Sequence, residues 1–282
     1  MDYENPKIPE GINVSTTHPL KDFALLVTGV ATLFLMVMLC LYLAADYLSP
    51  YIPFSAEKKV AGLVLEQYTD TEALSQRDQV IEDYLNEKVQ LIAKTQNFPE
   101  HMDLTVHYLP NSTVNAFATI GGHLMIHRGL LEKVPNENAL IMVLAHEVAH
   151  IKHRDPIRAL GRGIMLATTM AFFTNASSSG SVHSIFSQAG LLTSLSFGRE
   201  QERDADREAL DSLQALYGHT AGAEDLFTIF MKELGNEPPE WLSSHPLTKD
   251  RIEAAREYAE QQSEPMATKP LPEEISDILK NG

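Results

Sequence analysis

The sequence predicts a mostly helical α+β fold with a small β-sheet, preceded by one transmembrane helix. An uncharged apolar segment runs from Phe23 to Ala45, near the amino terminus. Over much of the remaining chain, apolar residues recur every three or four positions, which is typical of amphipathic helices. Short alternating segments on either side of Gly121-Gly122 indicate strands joined by a turn.

The apolar segment predicts a membrane anchor over residues 22–46, after a polar tail of residues 1–21. At about 1.5 Å per residue, such a helix crosses a hydrocarbon core of about 30 Å, and it exceeds the roughly 7–15 residues of a signal-peptide core. Lys21 beside the segment favours a cytoplasmic amino terminus. We therefore expect a single-pass protein of a bacterial inner membrane with a periplasmic catalytic domain. A domain facing the cytoplasm is the alternative, because positive residues are nearly even on the two sides.

The rest of the chain is predicted to form one domain over residues 50–262 and a flexible, loosely held tail over residues 263–282, which contains prolines among charges. Within the domain, Ala56 to Gln96 has helical spacing. Residues 157–197 are apolar at first and then rich in serine, which favours a buried or membrane-touching helix, with a hinged lid as a hypothesis. Alternation predicts strands at Leu104–Leu109, Val114–Thr119 and His123–Ile126.

The sequence His146-Glu147-Val148-Ala149-His150 lies in a predicted helix between Asn136 and Asp155. Histidines at i and i+4 project from one helix face roughly 6 Å apart, so they can bind one metal ion together. The glutamate between them stays available for proton transfer. This pattern indicates a zinc site, whereas the same spacing without a third ligand would be compatible with an ordinary solvated helix.

A catalytic zinc site needs a third protein ligand, and the charged helix that begins at Arg199 offers two Glu/Asp pairs at i, i+4. Stepping from Glu202 by three and four residues reaches Asp206 and otherwise small and apolar positions, whereas stepping from Glu200 reaches only charged ones. We therefore predict Glu202 as the ligand. Asp206, one turn later, is predicted to accept the other ring N–H of a zinc-bound histidine. Two imidazoles and one carboxylate favour Zn²⁺, one per chain, over manganese or iron.

Four blocks of the chain resemble the gluzincin metallopeptidases of the HtpX, BepA, Oma and CAAX prenyl protease type. The segment from Asn136 to His150 is similar to their active-site helix, and Glu202 to Asp206 fits their E-x-x-A-D helix. The other two blocks are Val114 to Ala118 followed by Gly121-Gly122, and Ser244-His245-Pro246 with Arg251-Ile252. The resemblance covers roughly residues 57–260. The usual Ser-Arg before the E-x-x-A-D helix is Gly198-Arg199 here, which leaves the predicted ligands in place.

The resemblance implies a zinc endopeptidase in which Glu147 acts as general base and then as general acid. It also implies that His245 donates to the oxyanion of the reaction or covers the metal in a resting form, and that Arg251 supports the transition state. The family places the strand Asn115, Ala116, Phe117 and Ala118 along the cleft, where it would pair with an extended substrate. The same strands could equally form a small sheet that simply covers the helices, and this interpretation is compatible with substrate pairing.

The expected substrates are polypeptides, namely unfolded or envelope proteins in protein quality control. The formal charge of −16 argues against nucleic acid as a partner. The bilayer is the partner of residues 22–46, and any adaptor protein would be a separate chain. The competing hypotheses are a proteolytically latent membrane-tethered chaperone or adaptor that uses the same cleft, and a structural metal-binding domain. Glu147 between the histidines argues against both.

Overall fold

The computed structural model describes residues 19–65, 74–173, 197–225, 228, 240–246, 249–260 and 267–281. The chain divides into two units, residues 1–44 and 45–282. Helix α1 (Pro19–Leu48) accounts for the described part of the first unit and has no buried residues. With the short 3₁₀ turn Ser49–Tyr51, it is the one described helix that is long and apolar enough to cross a membrane.

The second unit contains most of the helices and one sheet, which confirms the predicted mostly helical α+β class. The strands lie within two residues of the predicted segments. The elements are α2 (Phe54–Leu65), α3 (Gln76–Thr95), β1 (Thr105–Leu109), β2 (Ala116–Thr119), β3 (His123–His127), α4 (Arg128–Lys133), α5 (Glu137–Lys152), α6 (Asp155–Phe173), α7 (Arg199–Tyr217), α8 (Trp241–Ser244), α9 (Lys249–Glu260) and α10 (Glu273–Asn281).

The three strands form a sheet in the order β1-β3-β2, with β1 parallel and β2 antiparallel to β3. Val106, Ala118 and Leu124 are in register across the sheet and belong to the main hydrophobic core. The turn between β2 and β3 contains Gly121 and Gly122, both with positive φ. A Cβ at Gly122 would lie 1.9 Å from the carbonyl oxygen of Asp103, so this turn requires glycine.

Helix α5 is the central helix of the second unit. Asn136 caps its amino terminus, where the side chain accepts a hydrogen bond from Ala139 N at 2.8 Å. Every residue of α5 from Glu137 to Ile151 is buried, because α3, α7 and β2 pack around it. A helix that is enclosed on all sides holds its side chains in fixed positions, which suits a site built from two of its histidines.

The carboxy-terminal segment departs from the expectation of a loosely held tail. Residues 267–272 are followed by α10, which packs against α3 and α4. Ile275 and Leu279, one helical turn apart, are buried in the main core. Prolines precede residue 273 in the sequence, and the i, i+4 apolar pair is the local signal for the short helix that follows them.

The segment predicted as a buried or membrane-touching helix forms α6, which packs against the 3₁₀ turn Ser49–Tyr51. Gly161 lies at this contact, where an added Cβ would meet the Ser49 hydroxyl at 2.6 Å. Residues 174–196, which include the serine-rich stretch of the lid hypothesis, lie outside the described residues.

Candidate metal centre

His146 and His150 lie one turn apart on α5, and both side chains are buried. Their Nε2 atoms are 3.0 Å apart, so both rings direct the same nitrogen to one point. The spacing of four residues on a straight helix produces this convergence. The two rings meet edge to face, with centroids 4.6 Å apart.

Glu202 reaches the same point from α7, the helix that packs most extensively against α5. Its carboxylate oxygens lie 3.5 Å from His150 Nε2 and 3.6 Å from His146 Nε2. Glu202 belongs to the buried face of α7, whereas Glu200 is exposed. The helical phase of the sequence therefore brings Glu202, and not Glu200, to the histidines.

His245 provides a fourth donor atom from the loop that follows α8. Its Nδ1 lies 3.0 Å from Glu202 Oε1 and 3.1 Å from His146 Nε2. The backbone N–H of His245 donates to Trp241 O at 2.9 Å, which fixes the loop at this point. The donor atoms of His146, His150, Glu202 and His245 all lie within 4.8 Å of one another.

This donor set fits a zinc ion. For bonds of about 2.0–2.1 Å, tetrahedral ligand atoms lie roughly 3.3–3.4 Å apart. The separations of 3.0–3.6 Å between the Nε2 atoms and the Glu202 oxygens bracket that value. Three imidazole nitrogens and one carboxylate oxygen are also ligands that zinc prefers.

Two carboxylates outside this set hold the histidine rings. His146 Nδ1 lies 2.9 Å from Asp206 Oδ1, and His150 Nδ1 lies 2.9 Å from Asp155 Oδ2. Carboxylates only accept, so the hydrogen of each ring lies on the Nδ1 that faces a carboxylate, and in a neutral ring Nε2 then carries a lone pair. Two lone pairs facing each other at 3.0 Å repel unless a cation lies between them. The site is therefore arranged to receive positive charge.

The pKa of His150 leads to the same conclusion. Burial alone would lower the pKa of this imidazole, but the carboxylates of Asp155 and Glu202 outweigh burial and raise it to about 10. In the same way, burial opposes ionisation of Glu202, but His245 and His150 hold the pKa of its carboxyl well below the usual range. The surrounding charges thus favour a cation beside an ionised Glu202, whether a proton or a metal ion.

Arg251 joins two of the acidic residues and is itself buried. Its guanidinium donates to Asp206 through Nε at 2.6 Å and Nη2 at 2.8 Å, and Nη1 lies 2.6 Å from Glu202 Oε2. This geometry fixes both carboxylates relative to each other. The structure therefore places Arg251 behind the donor set, in contact with Glu202 and Asp206.

Glu147 is fully buried beside the donor set, and burial raises the pKa of its carboxyl. Its Oε2 accepts a hydrogen bond from the backbone N–H of Ala118 at 2.9 Å, and its Oε1 accepts one from the indole Nε1 of Trp241 at 3.1 Å. His245 Nε2 lies 3.4 Å from the same Oε1. The carboxylate thus faces the side of the site at which His245 lies.

Comparison with known proteins places this arrangement in a family. Residues 80–259, which include all four donor residues, match the model of peptidase family M48. The chain belongs to this family. A putative β-barrel assembly-enhancing protease of Vibrio cholerae is 31% identical over 169 residues, which are 56% of this chain and 35% of that protein.

Two further relatives of this M48 chain are named as proteases. The β-barrel assembly-enhancing protease of Escherichia coli strain K12 is 28% identical over 171 residues, which are 54% of this chain and 33% of that protein. The mitochondrial metalloendopeptidase OMA1 of Schizosaccharomyces pombe is 28% identical over 157 residues, which are 54% of this chain and 46% of that protein. The chain thus spans between about a third and a half of the length of these relatives.

The predicted substrate strand packs against α5, next to the candidate metal centre. Ala116, Phe117 and Ala118 form most of β2, and Asn115 precedes it with its carbonyl oxygen paired to His127 N at 3.1 Å. Ala118 N–H points away from β3 toward Glu147, so the outer edge of β2 faces α5. All four residues are buried among the described residues.

Three residues of this M48 site were missed from the sequence. The sequence predicts Asp155 only as the end of a helix and does not assign Trp241 or Phe197 to the site. In the structure, Asp155 contacts His150 Nδ1, Trp241 Nε1 donates to Glu147, and Phe197 stacks on the His150 ring with centroids 4.1 Å apart. Two of them lie close in sequence to predicted site residues. Asp155 follows His150 by five residues, and Trp241 is the only tryptophan of the chain, four residues before His245.

Proposed function

We propose that this M48 chain is a membrane-anchored zinc endopeptidase that hydrolyses peptide bonds in polypeptide substrates. The observation that carries the proposal is the position of the Glu147 carboxylate beside four convergent donor atoms. A structural metal site would have no use for a buried carboxylate at this position. Membership of a peptidase family supports the same reaction class.

His146, His150 and Glu202 are the proposed zinc ligands, oriented by Asp206, Asp155 and Arg251. Bound zinc would supply Lewis-acid activation of a water molecule and of the substrate carbonyl. A catalytic zinc site has three protein ligands and leaves the fourth coordination position to water or substrate. Here His245 supplies a fourth donor, which would occupy that position. We therefore assign the described arrangement to a resting form that His245 closes.

Glu147 is the proposed general base. It takes a proton from the attacking water and returns it to the amine that leaves when the C–N bond breaks. Its oxygen Oε1 faces His245 at 3.4 Å, so this is the oxygen directed to the place that water would occupy after His245 withdraws. After it leaves the fourth position, the imidazole of His245 would donate a hydrogen bond to the oxyanion, which is the second role proposed for this residue.

The outer edge of β2 is the proposed platform for the substrate backbone. In an antiparallel pair, every second residue directs its N–H and C=O groups away from the partner strand. Ala118 N–H binds Glu147 and not β3, so Ala118 and Ala116 are the outward-facing residues of β2. An extended peptide that pairs with Ala116 and with the C=O of Ala118 would lie along α5, while the N–H of Ala118 stays bound to Glu147. Main-chain pairing of this kind accepts many sequences, which suits unfolded substrates.

We further propose that residues 22–46 anchor the enzyme in a bacterial inner membrane, with the catalytic domain in the periplasm. The apolar helix near the amino terminus supports the anchor. Two relatives are named for β-barrel assembly, which supports a role in quality control of envelope proteins. Any adaptor that delivers substrates would be a separate chain.

Cleavage of casein by the full chain in detergent tests the reaction. The native chain is expected to cleave and to hold about one zinc, and Glu147→Gln is expected to hold the same zinc without cleaving. Glu87→Gln, an exposed change on α3, serves as the control and is expected to cleave like the native chain. Equal cleavage by the native chain and by Glu147→Gln would exclude Glu147 as the base.

The position of His245 also favours a second candidate, a latent protein that holds polypeptides without cutting them. His245→Ala separates the two. For a resting enzyme, the native chain is expected to cleave and His245→Ala to cleave more slowly, because the variant loses the proposed oxyanion donor. Zinc bound at about one per chain with no cleavage by native chain or variant would support the latent chaperone instead.

A further inference from the structure

Trp241 is the only tryptophan of the chain and lies at the start of the short helix α8. Its side chain is 1% exposed, and its indole Nε1 is 3.1 Å from Glu147 Oε1. An indole N–H donates and has no acceptor role, and it carries its hydrogen at every physiological pH. Among the described side chains, Trp241 is the one whose hydrogen bond to Glu147 satisfies ordinary distance criteria.

The surroundings of Trp241 fix the direction in which its N–H points. Its ring stacks on the His245 ring with centroids 4.8 Å apart and 19° between the planes. The Arg251 guanidinium lies 5.8 Å from the indole centroid, and the His146 ring lies 5.7 Å away. The contacts with Arg251 and His146 do not involve His245, so the indole keeps two neighbours that hold it when His245 withdraws in the proposed reaction.

Glu147 needs such a donor because a glutamate carboxylate rotates easily about its last torsion angle. The backbone N–H of Ala118 holds Oε2, and this bond alone would leave Oε1 free to swing about it. The Trp241 N–H holds Oε1, the oxygen that also faces His245. Two donors on opposite oxygens therefore lock the plane of the carboxylate.

We propose that Trp241 is a positioning residue, whose indole N–H keeps Oε1 of Glu147 directed at the fourth position of the metal centre. The proposal rests on the proposed function, in which Glu147 is the general base. A phenylalanine at this position would preserve the stacking on His245 but would not donate. The specific requirement is thus the N–H group and not the aromatic ring.

The single tryptophan allows the N–H group to be removed without any other change. Expression in a tryptophan auxotroph supplied with β-(3-benzothienyl)alanine replaces the N–H of Trp241 alone by sulfur. The full chain in detergent, measured with a casein-derived peptide, is expected to lose about tenfold in kcat with KM within about twofold. Zinc content and thermal unfolding temperature are expected to match the native chain.

Two further proteins complete the experiment. Trp241→Phe is expected to show the same loss in kcat, and incorporation of 7-azatryptophan, which keeps the ring N–H, is expected to preserve most of the native kcat. A structural role would move zinc content or the unfolding temperature together with kcat. That result would overturn the positioning role, and so would a kcat for the benzothienyl protein that is unchanged or raised.

The same measurements separate this inference from the proposed function. If the native chain does not cleave the peptide while it holds zinc, the proposed function fails and the role of Trp241 fails with it. If the native chain cleaves, Glu147→Gln does not, and the benzothienyl protein cleaves at the native rate, only the role of Trp241 is overturned.

Discussion

Each histidine of the H-E-x-x-H pair has a different carboxylate 2.9 Å from its Nδ1. His146 uses Asp206, one turn beyond the proposed ligand Glu202, and His150 uses Asp155, the first residue of α6. Asp155 also accepts a hydrogen bond from Gln201 of α7. The two carboxylates therefore set the ring orientations from two different helices, and the metal centre depends on how those helices pack against α5.

Asp155→Asn is expected to weaken zinc binding by roughly 10–100-fold. The neutral amide is a weaker acceptor for the His150 N–H than the carboxylate, and it adds no negative charge beside the imidazole. Asparagine has the same size and also begins helices well, so the fold is expected to persist. Competition with a chelating dye measures the affinity. Asp204→Asn, on a half-exposed side chain of α7, is the control and is expected to bind zinc like the native chain.

At the scale of residues, spacing predicted the members of the site that share a helix. Four residues separate His146 from His150, and helical phase distinguished Glu202 from Glu200. Asp155 and Trp241 could not be assigned in this way, because they reach the site from elements whose packing the sequence does not display. Their contacts are visible only once α6 and α8 are placed against α5.

Among the secondary-structure elements, the turn between β2 and β3 positions the strand that contacts Glu147. Gly121 and Gly122 both have positive φ. The Cα of Gly122 packs closely against the carbonyl of Asp103, which precedes β1 in the chain. Thr105 N also donates to Gly122 O at 2.9 Å, which ties the turn to the start of β1. The glycine pair predicted the turn, but the close approach to Asp103 depends on the parallel pairing of β1 with β3.

Gly122→Ala is expected to lower the free energy of unfolding by more than about 3 kcal/mol, because the new methyl group overlaps the Asp103 carbonyl at a strained φ. Gly218→Ala is the matched control. Gly218 has a similar φ of 76° at the end of α7 but open space around its Cβ position, so only about 1 kcal/mol is expected there. Urea unfolding of the two variants measures the difference, and equal losses would show that the contact with Asp103 is unimportant.

In the molecule as a whole, the carboxy-terminal segment holds the amino terminus of α5. Lys269 N donates to Asn138 Oδ1 at 2.8 Å, and Glu137 N donates to Lys269 O at 2.8 Å. The buried Glu137 carboxylate accepts hydrogen bonds from Tyr84, Tyr217 and Lys269. One acidic residue thus joins α3, α5, α7 and the chain end, which makes residues 267–281 part of the domain and not an appendage.

The pH dependence of stability should report this contact. Burial is the largest influence on Glu137 and raises its pKa, but the hydrogen bonds from Lys269, Tyr217 and Tyr84 together lower the pKa below 4.5. A group whose folded pKa is lowered stabilises the fold fully above the unfolded pKa, and this stabilisation is lost as pH falls through the folded pKa. The relevant window therefore begins at about pH 4.5 and extends downward.

Glu137→Gln is expected to lower the free energy of unfolding by about 1–3 kcal/mol at pH 7. The difference from the native chain should shrink as the pH falls below about 4.5. Urea unfolding at several pH values measures it, with Glu87→Gln as an exposed control that should differ little throughout. A difference that stays constant from pH 7 to pH 3 would contradict the assignment of an ionised Glu137.

The broad architecture was predictable at this scale because each element has a local signal. The apolar segment, the helical spacing and the alternating strands indicate the mostly helical α+β fold. The docking of α10 was not predicted, because the sequence shows a single apolar pair, Ile275 and Leu279. The burial of this pair depends on the packing of α10 against α3 and α4.

The central claim is that Glu202 completes a metal site with His146 and His150, and the zinc content of two variants tests it most directly. Glu202→Ala removes the proposed ligand, and Glu200→Ala removes the exposed glutamate half a turn away on the same helix. The full chain and Glu200→Ala are expected to retain about one zinc per chain after dialysis, and Glu202→Ala less than about a tenth. Full zinc content in Glu202→Ala would contradict the proposed metal centre.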